Sequence, residues 1–352
     1  MVPVVDLSRR GARFAGEFAD VAERIAKRGS YLLGDELESF ERALAAWIGA
    51  DHAAGVASGA SALQLALTAA GVEPGDEVLV PAFTAVPTAS AVIAAGAVPV
   101  AVDVDPETAC LTPESIGCAM TTRTRAVVVV HLYGFPAELP ATRDGVALIE
   151  DAAQAMGALG RPDLSSAAAY SFYPTKNLGG IGDGGAVVTN EAALDARVRL
   201  LRTHGATGQY VHEAISQNFR MSEIEAAWLR LGLRALRADV NARRGIAARY
   251  RRAAPHLRWQ RDHARHAYHL CVFRASARHA VRERLAEAGV GTAVHYPLAL
   301  TQQPAYRTLF PTSCPSAEAW AAECVSVPCF PELTEDEIER VATALAELPP
   351  ER

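Results

Sequence analysis

The chain has 352 residues, half of them hydrophobic and 21% charged, a balance that supports one large globular unit or two domains with substantial cores. A formal net charge of −6 excludes a general attraction to nucleic acid or anionic lipid, which requires clustered Lys and Arg, so neither nucleic acid nor membrane is an expected partner. Six cysteines form no CxxC pair and read as reduced thiols, which leaves no need for disulfides or structural zinc.

From the N-terminus, Asp6, Arg9 and Arg10 interrupt the opening residues, so a secretory signal is not expected and the cytoplasm is the expected location. The segment Gly55-Val56-Ala57-Ser58-Gly59-Ala60-Ser61-Ala62-Leu63 reads as a strand end running through small residues into a helix over 61–70. The start of such a helix offers free N–H groups and a favourable dipole to a phosphate, although an ordinary Ser-capped helix explains the segment equally well. Valine-rich runs at 77–80, 98–102 and 126–131 predict buried strands. Helices are predicted between them at 87–95 and at 113–120, the latter behind Thr112 as N-cap. The longest apolar stretch, 89–102, is broken by Gly96 and Pro99 and is short against the roughly 20 residues of a membrane span. Strands at 147–150, 168–172 and 186–189 complete a mostly parallel sheet with helices on both faces. In such sheets ligands bind beyond the carboxyl ends of the strands.

Two residues stand at those ends. Asp151 closes the strand at 147–150, where by itself it reads more readily as a helix cap. Lys176 is the lone charge in Ser171-Phe172-Tyr173-Pro174-Thr175-Lys176-Asn177-Leu178-Gly179-Gly180, and a lysine kept out of water becomes a usable amine nucleophile. A surface lysine on a turn is the plainer alternative. A phosphate cup, a carboxylate and a lysine at successive strand ends together point to a phosphorylated aldehyde cofactor. The run Gly180-Ile181-Gly182-Asp183-Gly184-Gly185 satisfies G-x-G-x-x-G, but it precedes a strand instead of opening a helix, so it is not read as a dinucleotide site.

Residues 221–252 predict a long connecting helix with Ile224, Ala227, Trp228, Leu231 and Leu236 on its apolar stripe and its arginines on a solvated face. A strand at 269–273, a helix at 278–288 ending at Gly289 and a terminal helix at 335–348 form a smaller α+β unit. The expected division is therefore 1–235 and 236–352. His263, His266 and His269 recur every three residues, but no carboxylate or Cys completes a metal-ligand set.

The chain resembles the nucleotide-sugar aminotransferases of the DegT/DnrJ/EryC1/StrS family, which have the aspartate aminotransferase fold (PLP fold type I). The matching segments are Tyr31-Leu32-Leu33-Gly34, Pro74-Gly75-Asp76-Glu77-Val78, Pro81-Ala82-Phe83-Thr84, Val102-Asp103-Val104-Asp105, His131-Leu132-Tyr133-Gly134, 150–155, 171–185, Asn218 with Arg220, and His295-Tyr296-Pro297. The resemblance implies an α/β large domain with a mostly parallel seven-stranded sheet, a smaller C-terminal α+β domain, and pyridoxal 5'-phosphate as cofactor. It implies that Lys176 holds the cofactor aldehyde as a Schiff base, that Asp151 bonds the pyridinium nitrogen, and that Gln154 contacts the phenolic oxygen. Gly59, Ala60, Ser61 and Ser171 would hold the phosphate, with Asn218 reaching it from the neighbouring subunit of a homodimer whose active sites are shared. Tyr31, Tyr133, Arg220, His295 and Tyr296 are the implied substrate residues.

The implied reaction takes the amine of L-glutamate and delivers it to a keto sugar on a nucleoside diphosphate. The lysine segment resembles the members acting on 3-keto sugars, for example dTDP-3-keto-6-deoxyhexose, more than those acting on 4-keto isomers. A sugar dehydratase of the same fold is disfavoured because Lys176 stands where those enzymes carry histidine, and a nicotinamide-dependent sugar oxidoreductase is the rival from another class. Three departures are visible. Ala85 occupies a position that is commonly aromatic in the family, Ala60 one that commonly carries a hydroxyl, and Met156 one that is commonly His; in addition, the stretch 158–166 is short.

Overall fold

The computed structural model describes residues 1–141 and 144–350. Two helices open the chain, α1 (Leu7–Arg28) and α2 (Asp35–Ile48). Asp6 caps α1 by accepting from the Ser8 N–H, and Gly29, at φ 71°, ends it in the left-handed conformation that favours glycine. The acidic first turn of α2, with Asp35, Glu36 and Glu38, suits its positive end. The sequence reading did not anticipate these two helices.

Next come β1 (His52–Val56), α3 (Gly59–Ala69), β2 (Glu77–Pro81), α4 (Val86–Ala94), β3 (Val98–Val102), α5 (Pro113–Ala119) and β4 (Thr124–Val130). Thr112 caps α5 as expected, and Ser115 returns the bond to close a capping box. Then follow β5 (Ala147–Asp151), β6 (Ala167–Ser171), β7 (Gly185–Thr189) and α6 (Ala192–Leu201), an unanticipated helix. The strands form one seven-stranded sheet in the order β1-β7-β6-β5-β4-β2-β3. Only β7 runs against its neighbours, β1 and β6; the other pairings are parallel.

The two-residue period of a strand sorts side chains between two cores. Ala167, Ala169 and Val187 join Leu63 and Leu67 on one face. Ala168, Tyr170, Ala186 and Val188 join Phe40 of α2 on the other. Burial on both faces explains why the strands are continuous apolar runs instead of alternating ones.

A short hairpin, β8 (Ala206–Gly208) with β9 (Val211–His212), leads to the long helix α7 (Glu223–Ala253). Its Ala226, Leu229 and Leu236 pack in the second core, whereas Ile246, Ala247 and Tyr250 pack in a third, so the 235/236 boundary falls inside one unbroken helix. Beyond it lie β10 (Arg258–Trp259), β11 (Cys271–Arg274), α8 (Arg278–Glu287), α9 (Pro315–Glu323), β12 (Cys324–Val327) and α10 (Glu335–Ala346). Strands β10, β11 and β12 make a small antiparallel sheet. Its core, with Phe273, Val325 and Leu345, also takes in Val2 from the chain's start.

One correction concerns α7. Arg243 lies within the stretch read as a solvated arginine face, yet it is 2% exposed. Its Nη1 donates to the carbonyls of Tyr268, His269 and Cys329. Among the described residues, no helix is long and apolar enough to cross a membrane.

Candidate active site

Parallel pairing brings the ends of β4, β5 and β6 to one edge, and β1 ends there too because β1 and β6 both run antiparallel to β7. Asp151, the last residue of β5, pairs with Val130 on β4 and Ala169 on β6. Ser171, the last of β6, pairs with Gly185, which also pairs with Val56 at the end of β1. Beyond this edge opens a cavity of about 300 Å3 walled by Ser58, Gly59, Ala60, Ala85, Asp151, Gln154, Ser171 and Lys176 together with Leu63, Pro87 and Val130.

The floor of the cavity is the start of α3. Ser58 caps the helix by accepting from the Ser61 N–H at 3.1 Å, and the first helical bond runs from Ala62 N to Ser58 O. The N–H groups of Gly59 and Ala60 precede that bond and have no helical partner, so they are the donors available to an anion. A side chain at Gly59 would meet Ser171 Cβ at 2.6 Å, so only glycine lets the helix start approach the end of β6. Ser61 is one step back, its Oγ 2.9 Å from that of Ser58.

Asp151 is 5% exposed, and burial raises its carboxyl above the usual range. Thr88 Oγ1, the Ala153 N–H and the charge of Lys176 oppose that rise by favouring the carboxylate. Facing it, Lys176 has its amine pushed down to about 8 by burial, with the Asp151 charge acting in the other direction. Some of the Lys176 surface stays accessible, because it lines this cavity and a second one. The turn carrying it is held by Arg10, which donates to the carbonyls of Pro174 and Lys176.

The other expected residues divide. Gln154 lines the cavity, with Oε1 accepting from Tyr133 N at 2.6 Å and Nε2 donating to Tyr296 Oη at 3.0 Å. His295 and Tyr296 line the second cavity, on the far side of Lys176. Tyr133 does neither: it is fully buried and its hydroxyl donates to the His295 carbonyl. Tyr31, Asn218 and Arg220 lie outside both cavities; Tyr31 and Asn218 are exposed and Arg220 is half-buried. Met156, at a position where the family commonly carries His, is buried in the second core and does not reach the cavity. Sequence reasoning missed Thr88, Tyr173 and Asp183, all of which line the cavity. For Thr88 a signal existed, since it stands four residues after Thr84 where α4 begins.

The Gly-rich run before β7 wraps a different group. Glu225 of α7 accepts from the Gly182 N–H at 2.9 Å, and a side chain at Gly180 would run into its Oε1. His266 of the histidine run is engaged by Gln260 and by the Tyr268 N–H.

The profile of the DegT/DnrJ/EryC1/StrS aminotransferase family matches residues 13–346. The chain belongs to that family. This aminotransferase is 42% identical, over 98% of each chain, to the erythromycin biosynthesis sensory transduction protein EryC1 of Saccharopolyspora erythraea. It is 39% identical, over 98% of its own length and 97% of the other's, to a UDP-N-acetyl-3-dehydro-alpha-D-glucosamine 3-aminotransferase of Acidithiobacillus ferrooxidans. Its fold superposes on S. venezuelae DesV, solved in complex with a ketimine intermediate, with a TM-score of 0.94 and 40% identity over 98% of each chain. In this aminotransferase Lys176 and Asp151 share the wall of one cavity with the start of α3.

Proposed function

We propose that this aminotransferase holds pyridoxal 5'-phosphate at Lys176 and transfers the amino group of L-glutamate to the keto carbon of a nucleoside-diphosphate sugar, a 3-keto sugar being favoured. The observation that carries the reading is a single cavity containing Lys176, Asp151 and the unbonded N–H groups of Gly59 and Ala60. The residues fit the group: the helix start suits its phosphate, Asp151 suits a protonated ring nitrogen, and the amine of Lys176 suits its aldehyde.

When bound, pyridoxal phosphate supplies an aldehyde that takes up the amine and a pyridinium ring that accepts electrons. Asp151 would pair with the ring nitrogen and favour its protonated form, and Thr88 holds Asp151. The free amine of Lys176, in the cavity wall, would take up the proton that leaves the donor's α-carbon. With an amine pKa of about 8, Lys176 is neutral often enough near physiological pH to serve as that base. Ser171 stands beside Gly59 to complete the phosphate cup.

The 3-keto preference is supported by the segments 175–179 and 182–185 and by the name of the 39% identical relative, a 3-aminotransferase acting on a 3-dehydro sugar. A catalytic role, as against the signalling role in the name of the 42% identical relative, is supported by Lys176 and Asp151 sharing a cavity.

We also read the working unit as a homodimer with shared sites. Asn218, outside its own cavity, bridges to Thr203, and the same segment runs on to Ser222 and Glu223, whose backbone joins exposed Leu32 and Tyr31. A second copy docked on this rim would carry Asn218 to the neighbouring phosphate cup.

The test is spectroscopic. Protein loaded with pyridoxal phosphate absorbs in the near-violet, loses that band with L-glutamate, and regains it with a nucleoside-diphosphate 3-keto sugar. Lys176→Ala abolishes turnover. Full transamination by that variant rejects the assignment, and restoration by 4-keto isomers alone rejects the 3-keto preference.

A further inference from the structure

The second cavity, of about 310 Å3, lies between Lys176 and the C-terminal third of the chain and differs in charge from the first. The first cavity has Asp151 and Asp183 in its wall; the second has Lys176, Arg243, His269 and His295 and no carboxylate. Arg243 is 2% exposed, makes no ion pair among the described residues, and spends Nη1 on three backbone carbonyls. Its Nε is buried with no hydrogen-bond partner, and so is His269 Nδ1, on a side chain 8% exposed. A buried unpaired donor costs roughly 1–3 kcal/mol, and a buried cation without a counterion costs more. Both residues line the cavity, which therefore presents a cation that makes no ion pair beside a histidine, a wall suited to an anion that arrives with a ligand.

We propose that this cavity seats a carboxylate of the amino donor, with Arg243 and His269 as its ligands and His295 at its side. The proposal rests on the glutamate reading above and names the residues that select for it. Lys176 lines both cavities, so a donor anchored here presents its amine at the boundary where the cofactor aldehyde would be. The size fits a small dicarboxylate, since the volume is at the lower end of the roughly 300–1,000 Å3 of small-molecule sites. A nucleoside diphosphate, the other oxyanion of the reaction, carries a polar sugar and base that the apolar walls of Val4, Val5, Val327 and Phe330 do not serve. Burial and the neighbouring cations also favour neutral His269, which has an N–H to give to a carboxylate.

The experiment titrates the cofactor-loaded protein with glutarate, which has both carboxylates of the donor and no amine, and reads heat of binding for wild type, His269→Leu and Arg243→Gln. Each substitution is expected to raise the glutarate Kd by about tenfold or more, the cost of losing a hydrogen bond to a charged group. The KM for L-glutamate rises with it, while the rate of the second half-reaction, with keto sugar, holds. Thermal melting checks folding, and because Arg243 also ties down three carbonyls, His269→Leu decides if Arg243→Gln does not fold. Unchanged glutarate affinity in the folded variants, or no glutarate binding by wild type at millimolar concentration, overturns the proposal. So does a loss of thymidine or uridine diphosphate affinity with glutarate affinity intact, which would make the cavity a phosphate site. Wild type that binds glutarate through these residues but is not bleached by L-glutamate supports the anion seat and rejects the glutamate reading. Bleaching that is indifferent to both substitutions rejects the seat and leaves the reading standing.

Discussion

Thr88 Oγ1 donates a 2.8 Å hydrogen bond to Asp151 Oδ2, joining the first turn of α4 to the end of β5. Because that hydroxyl proton is spent on Asp151, the 3.1 Å contact between the Thr84 and Thr88 hydroxyls must be donated by Thr84. The relay favours the carboxylate and so opposes the rise that burial imposes on it. Thr88→Val is expected to slow the glutamate half-reaction about tenfold, the worth of one hydrogen bond to a charged group, while the cofactor stays bound. Asp151→Asn should slow it by about a hundredfold or more. Stopped-flow spectra of both variants check this, and a Thr88→Val rate equal to wild type would show that Asp151 needs no support.

Ala85 places only a methyl group in the wall of the first cavity, and Met156 is buried elsewhere. The ring of the cofactor therefore has the smaller apolar groups of Leu63, Pro87 and Val130 nearby and no aromatic face at position 85. After glutamate removes the covalent link to Lys176, only the phosphate contacts, the Asp151 pair and packing retain the amine form. Ala85→Phe is expected to slow its loss severalfold. Dialysis of glutamate-treated wild type and variant side by side measures this, and equal or faster loss from the variant means that the added ring overpacks.

Glu225 is 4% exposed and its carboxyl is pushed up to about 7, chiefly by burial, against the N–H groups of Gly182 and Ile181, with Asp183 adding to the rise. The folded protein thus holds this proton more tightly than the unfolded chain, whose glutamates titrate near about 4.3. Its contribution to stability is complete below that value, declines as pH rises toward 7, and is gone above it. Glu225→Gln should be more stable than wild type by about 1–3 kcal/mol near about pH 8 and gain nothing near about pH 4. Denaturant titrations of both proteins across this range give the difference, and a pH-independent gap would contradict the assignment.

Asn218 and Lys176 belong to different subunits of the same site if the homodimer is shared as proposed. Co-expressed Lys176→Ala and Asn218→Ala chains then form mixed dimers with one intact site and one doubly defective site. Activity should return to about a quarter of the wild-type value in a statistical mixture. Activity no greater than the average of the two parent variants would place Asn218 outside the partner's site.

The residues at the ends of β5 and β6 were legible because buried parallel strands are unbroken apolar runs, against which Asp151 and Lys176 stand out as isolated charges. Helix α7 was equally legible from its apolar spacing, and α5 from its Thr112 cap. What local sequence could not decide was which side chains on those elements lose their water. Arg243 reads as one more arginine on a solvated face, and it is the backbone of Tyr268, His269 and Cys329, brought against α7 by tertiary packing, that buries it without an ion pair among the described residues. Tyr133, read as a substrate residue, is turned inward to the His295 carbonyl by a contact 162 residues away in sequence. Periodicity and isolated charge are properties of neighbouring residues, so the chain itself set the strand ends and the chemistry they carry. Burial, pairing and unpaired donors depend on partners that are distant in sequence, and only the folded structure brings His269, His295 and Arg243 to the far side of Lys176.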